Sequence, residues 1–131
     1  MIGLDTNVLV RYLVEDDPDQ AARAREVIEG RCTAEAPGFV NRIVLCELVW
    51  VLESCYGTPA AAIADTIEKL LRTAELEIDA PEAAWFALAA YRRGATDFAD
   101  ALIGRLNAAA GCDGTATFDR DAARLTDFLQ V

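Results

Sequence analysis

Short apolar runs alternate with longer amphipathic ones along the chain, and the two periods predict different elements. Ile2–Leu4 is a short apolar run that meets Asp5-Thr6-Asn7, after which Val8, Leu9, Val10, Tyr12 and Leu13 continue the apolar character. This reads as a strand ending near Asp5 and a turn into a short helix. Asp17-Pro18 pairs an N-cap residue with proline at the first helical position, and Ala21, Ala24, Val27 and Ile28 give the helix that follows an apolar stripe until Gly30. Pro37–Val40 predicts a second strand. From Ile43 to Leu52 only Glu47 is polar, a run too long for an ordinary strand, so a buried helix closed by Gly57 is expected. Thr58-Pro59 opens a helix with Ile63, Ile67, Leu70 and Leu71 on one face. Leu76–Asp79 alternates as a strand does. Pro81 starts a helix with Trp85, Leu88 and Ala89 facing inward and Gly94 at its end. Asp97 to Ala110 is a further helix, Gly114 to Phe118 a strand, and Ala122 to Leu125 a short helix after Asp119.

Strands that alternate with helices over the whole length predict an α/β protein, a three-layer α/β/α sandwich with a mostly parallel central sheet. No repeat, linker or low-complexity segment interrupts 131 residues, so residues 1–131 read as a single domain. With 53% hydrophobic residues the chain can build a core without help, which argues against disorder. Cys32, Cys46, Cys55 and Cys112 form no C-x-x-C pair, and Cys46 and Cys55 fall in the expected buried helix, as small hydrophobes. No secretory-leader pattern and no apolar run of membrane-spanning length is present, so a reducing cytoplasm, with no membrane role, is the expected compartment.

Charge and missing residues narrow the chemistry. The net charge of −10 argues against a protein that simply coats nucleic acid, which is normally basic. It leaves room for an enzyme that gathers carboxylates around hard cations. The chain has no histidine, which removes Ser-His-Asp and Cys-His nucleophilic sites, His-ligated zinc and histidine as a base. Hydrolytic chemistry would have to run on carboxylates, a metal, or both.

Several carboxylates have suggestive positions. In open α/β sheets, ligands bind beyond the carboxyl ends of the strands, where Asp5 and Asp119 fall; each could also be an ordinary turn or cap aspartate. Glu47, the lone polar residue of its run, needs a cation, a wet cleft, or an arginine such as Arg11 or Arg42 if its helix is buried. Asp97 and Asp100 share a face at a helix start, Asp97 as N-cap and Asp100 in the first turn, a position acids also take for the helix dipole alone. Like charges about 4 Å apart repel by roughly 4 kcal/mol at an effective dielectric of 20. A divalent cation with all-oxygen ligands, Mg²⁺ or Mn²⁺, would reverse that repulsion and suit phosphodiester hydrolysis.

Four stretches, I-G-L-D-T-N-V-L-V, I-V-L-C-E-L-V-W-V-L, T-D-F-A-D-A-L-I and T-F-D-R-D, together make the chain resemble the PIN-domain ribonucleases, and within them the VapC-type toxins of bacterial toxin–antitoxin pairs. The resemblance implies a Mg²⁺-dependent endoribonuclease with its acidic site on Asp5, Glu47, Asp100 and Asp119. Asp5 and Asp100 would be the most direct ligands, and Glu47 and Asp119 would complete the pocket. Thr6, Asn7 and Thr117 match polar positions that shape such sites, as hydrogen bonds aim ligands. Asp97 could be a cap, an extra ligand or a water-binding acid, and the role of Asp121 is open. The resemblance further implies an RNA substrate, a homodimer and a small antitoxin protein. Arg92, Arg93, Arg105, Arg120 and Arg124 are candidates to grip RNA phosphates, against a plain surface role. Two other readings remain: a Mg²⁺-dependent phosphatase on a related α/β fold, against which Asn7 stands where a second aspartate is usual, and a non-catalytic RNA- or protein-binding module.

Overall fold

The computed structural model describes residues 1–131. Five strands and six helices follow in the order β1 (Ile2–Gly3), α1 (Thr6–Val14), α2 (Pro18–Arg31), β2 (Gly38–Val40), α3 (Arg42–Ser54), α4 (Ala60–Arg72), β3 (Leu76–Ile78), α5 (Pro81–Arg92), α6 (Phe98–Ala109), β4 (Thr115–Thr117) and β5 (Phe128–Gln130), with a 3₁₀ turn at Ala122–Arg124 between the last two. Every strand pair is parallel, in the α/β/α arrangement expected from the alternation. The strands form two hydrogen-bonded groups, β1-β2-β3 and β4-β5. Each crossover within the first group carries two helices.

Local chemistry explains the boundaries. Asp17 accepts the Gln20 N–H and Pro18 occupies the first turn of α2; that helix runs to Arg31, one residue past Gly30. Asn41 starts α3 by accepting the Val44 N–H at 2.9 Å. β5 has no counterpart among the expected elements. It is three residues long with the burial pattern buried-exposed-exposed, and so lacks the alternation that identifies a strand.

The core runs from Leu4 to Phe128, with Leu9, Leu45, Leu48, Ile63, Ile67, Phe98 and Leu102 almost fully buried. At its centre β2 is thin: a Cβ on Gly38 would lie 2.8 Å from Leu4 Cδ1, 2.9 Å from Cys32 Sγ and 3.2 Å from Leu76 Cδ2, so its missing side chain lets the flanking strands close over it. Ala89, expected inward, is exposed. Its neighbours Ala83, Ala84, Ala87, Leu88, Ala90 and Tyr91 form the buried face of α5, and the abundance of alanine hid the phase of the stripe.

One expectation about α3 fails in a useful way. The helix buries Val44, Leu45, Leu48, Val49 and Leu52, but Ile43 is 68% and Trp50 62% exposed. Glu47 lies between them on the exposed face. The helix is therefore half-buried, and its lone polar residue marks the open side. Cys46 is half-buried, and Cys55 lies past the helix end and is exposed. No helix is long and apolar enough to cross a membrane.

Candidate active site

Parallel pairing places the carboxyl ends of β1, β2 and β3 along one edge. Gly3 pairs with Phe39 and Val40 with Ile78, so Asp5, Asn41 and Asp79 follow the strands on that side. Asp5 adopts extended backbone (φ −82°, ψ 159°) and caps α1, accepting the Thr6 N–H at 2.8 Å. Thr6 is buried, and its hydroxyl donates to Glu47 Oε1 at 2.6 Å. Thus α1 and α3 are tied side chain to side chain where Asp5 and Glu47 emerge. Glu47 makes no ion pair: Arg11 bonds Asp16 at 2.9 Å and Arg42 grips Asp79 at 2.8 and 3.1 Å. That grip neutralises Asp79 and holds its carboxyl below the ordinary range.

A second acidic group lies at the start of α6. Asp97, Asp100, Asp119 and Asp121 line a cavity of about 330 Å³ with Gly94, Ala95, Thr96 and Arg124. Asp97 caps the helix by accepting the Asp100 N–H at 2.8 Å. Burial raises the Asp100 carboxyl above the ordinary carboxylate range, and the charges of Asp97 and then Asp119 push it further. Asp119 is fixed by its own turn: its N–H donates to Thr117 Oγ1 at 3.0 Å, and its Oδ1 accepts from the Asp121 N–H at 2.8 Å. Arg124 is the one cation of the lining and lies 3.6 Å from Asp121, leaving Asp100 and Asp119 without a basic partner.

Two polar clusters are thus present, Asp5–Thr6–Glu47 and Asp97–Asp100–Asp119–Asp121. Cys46, beside Glu47 on α3, feels the field of the second cluster: burial raises its thiol above the ordinary range, and the charge of Asp97 adds to the shift. No hydrogen bond joins Asp5 or Glu47 to Asp100 or Asp119, neither Asp5 nor Glu47 lines the cavity at the start of α6, and no three of these side chains are gathered closely enough to cage a cation. The donors are nonetheless carboxylate oxygens, and crowding around Asp100 is the strain that a hard cation relieves, so the residues fit Mg²⁺ or Mn²⁺ in kind.

The remaining candidates divide. Thr117 does aim Asp119. Asn7 lines a different groove, between α1 and α2, with Val8, Arg11, Gln20, Arg23, Ala24 and Val27. Arg92 is held by Asp65 and Glu68 at 3.0 and 2.9 Å. Arg105 lies 3.6 Å over the Phe86 ring and 3.4 Å from Asp127. Both are occupied within the fold, whereas Arg93 and Arg120 are exposed and unpaired. Thr96, one residue before the α6 cap, also lines the cavity; only its place at the head of the T-D-F-A-D-A-L-I stretch singles it out in sequence.

A family model described as the PIN domain matches residues 2–127, nearly the whole chain, and the chain belongs to that family. No curated protein and no solved structure matches it.

Proposed function

We propose that this member of the PIN-domain family is a Mg²⁺-dependent endoribonuclease and the toxin of a toxin–antitoxin pair. PIN domains are generally metal-dependent nucleases, and the chain has that fold. The observation that carries the reading is the cavity at the start of α6, where Asp100 is held protonation-prone by burial and by Asp97 and Asp119, with no basic side chain on Asp100 or Asp119.

In this reading Asp5 and Asp100, one from each cluster, would hold the ion, and Glu47 and Asp119 would complete the pocket. When bound, Mg²⁺ supplies charge stabilisation to the phosphoryl oxygens and acidifies a coordinated water. The chain's own residues do the rest. Asp97 fixes the first turn that carries Asp100, and Thr117 with the following turn fixes Asp119. Thr6 holds Glu47 by Oε1, leaving Oε2 to take the proton of the attacking water. Arg93 and Arg120 are free to meet RNA phosphates.

Purified protein is expected to cut RNA with Mg²⁺ or Mn²⁺ and to stop with EDTA. Asp5→Asn and Asp100→Asn should each abolish cleavage with an unchanged circular dichroism spectrum; full activity in both would refute the site. The toxin reading predicts growth arrest and discrete new RNA ends on cytoplasmic expression, suppressed by a small antitoxin encoded beside it. Unchanged growth and RNA ends would contradict that part alone. A homodimer belongs to the same reading, and exposed Ile43 and Trp50 on α3 offer apolar surface for it. Against the phosphatase alternative, Asn7 replaces the second aspartate and lines another groove.

A further inference from the structure

Of the ten aromatic residues, only Trp50 and Phe118 are exposed. Trp50 shares its helix face with Ile43, an aliphatic neighbour typical of protein contacts. Phe118 has a different setting. It is 86% exposed, the most exposed large apolar side chain in the protein. It sits between Thr117, whose hydroxyl accepts the Asp119 N–H, and Asp119 itself, which lines the acidic cavity.

Its backbone is pinned on both sides. Thr117 belongs to β4 and its carbonyl accepts the Val131 N–H at 2.9 Å. Asp119 accepts two N–H groups of the following turn, from Asp121 and Ala122. The ring is therefore presented from a fixed base. Leaving a phenylalanine in water forgoes the stabilisation of burying it, although the core of this chain is otherwise well filled.

Free cations are few in this chain. Four of the twelve basic residues make no ion pair, Arg31, Lys69, Arg93 and Arg120. Two of these four adjoin cavity-lining residues along the chain: Arg120 lies between Asp119 and Asp121, and Arg93 precedes Gly94. An exposed aromatic ring two residues before an unpaired arginine, in the segment that carries Asp119 to the carboxylate site, matches single-stranded nucleic acid, where an aromatic ring takes the base and arginine takes the phosphate.

We propose that Phe118 is a stacking platform for an unpaired nucleobase of the substrate RNA next to the bond cut, with Arg120 and Arg93 contacting the flanking phosphates. This deepens and rests on the nuclease reading above. It requires the base beside the cut bond to be unstacked from its neighbours when it binds. A base held in a duplex stacks on its neighbours and is not available to the ring.

The test is a cycle between protein and substrate. Initial rates with Mg²⁺ are measured for the unaltered protein, Phe118→Leu and Phe118→Tyr on an unstructured ribo-oligonucleotide. They are repeated on a set in which one nucleotide at a time is made abasic. Phe118→Leu should raise KM about tenfold on the intact oligonucleotide, and Phe118→Tyr should retain the original KM. At one position beside the cut bond the abasic substitution should weaken the unaltered protein, yet cost Phe118→Leu nothing further. Additive losses at every position, or an unchanged KM for Phe118→Leu, would overturn the stacking proposal while leaving the nuclease intact. No cleavage of any RNA by the unaltered protein would instead remove the nuclease reading. Sedimentation separates the other occupant: if Phe118→Leu converts a dimer to a monomer, this surface, with exposed Leu129 and Val131, belongs to a second copy and the proposal fails.

Discussion

Replacing Gly104 with alanine should destabilise the protein, against the usual effect of that change in a helix. Gly104 lies in the body of α6, where alanine is favoured over glycine by about 1 kcal/mol. Its added Cβ, however, would overlap Phe128 Cε2 and stand 3.1 Å from both Phe128 Cδ2 and Asp127 Cβ. Carbon atoms pack at about 3.5–4.0 Å, so the ring must move by more than an ångström. Phe128 is only 8% exposed and has little room. Forcing a packed ring aside costs about 2–3 kcal/mol in overpacking and rotamer strain. Subtracting the helix gain leaves a net loss of about 1–2 kcal/mol, or roughly 3–8 °C in melting temperature. Guanidinium unfolding should show a lower midpoint with an unchanged m-value. The double variant G104A/F128L should recover part of the loss, because leucine vacates the space the methyl needs. The consequence reaches the site: β5 carries Phe128 and pairs with β4, whose end positions Asp119. A higher midpoint for Gly104→Ala would refute the tight contact between α6 and β5.

Three further outcomes follow from the site. Thr6→Val keeps the buried volume but removes the 2.6 Å hydrogen bond to Glu47; a loss of about 1 kcal/mol is expected, with RNA cleavage reduced, and unchanged unfolding and cleavage would count against the α1–α3 tie. Asp97→Ala should cost about 1 kcal/mol as a lost cap and bring the Cys46 thiol down towards its ordinary range while burial still holds it above; alkylation at Cys46, followed by mass spectrometry across pH, should shift to lower pH. In metal-free protein the raised Asp100 carboxyl lowers stability as pH rises from the unfolded carboxylate range through its own folded value. Asp100→Asn should therefore be the more stable protein at neutral pH and equal to the unaltered one in strong acid; equal midpoints at neutral pH would contradict the crowding.

Much of the fold was legible because its punctuation is chemical. Asp17-Pro18 started a helix where expected, and the parallel α/β plan follows from the alternation of periods. What escaped were features set by packing alone. β5 is three residues with no alternation, and its pairing with β4 apart from β1-β2-β3 depends on contacts no local pattern encodes. The burial argument for Glu47 was misplaced: α3 turns Glu47 to its open face with Ile43 and Trp50, and the residue is tied in by Thr6 instead. Arg92 and Arg105 look like the other arginines in sequence, yet each is consumed by a partner distant along the chain, Asp65 and Glu68 for one, Phe86 and Asp127 for the other. Asp100 was the weakest of the acids on sequence position, since first-turn acids are common; burial and then the charges of Asp97 and Asp119, none of them legible locally, raise its carboxyl.

The central claim is that Asp5 and Glu47 on one side, and Asp100 and Asp119 on the other, act together around a divalent ion. Calorimetric titration of Mn²⁺ into the unaltered protein, Asp5→Asn and Asp100→Asn tests it most directly, because each variant removes one donor from a different cluster. The account predicts saturable binding to the unaltered protein that is weakened at least tenfold in both variants, since a lost charged ligand costs more than about 1.4 kcal/mol. Absence of binding, or binding undiminished by either substitution, would contradict it.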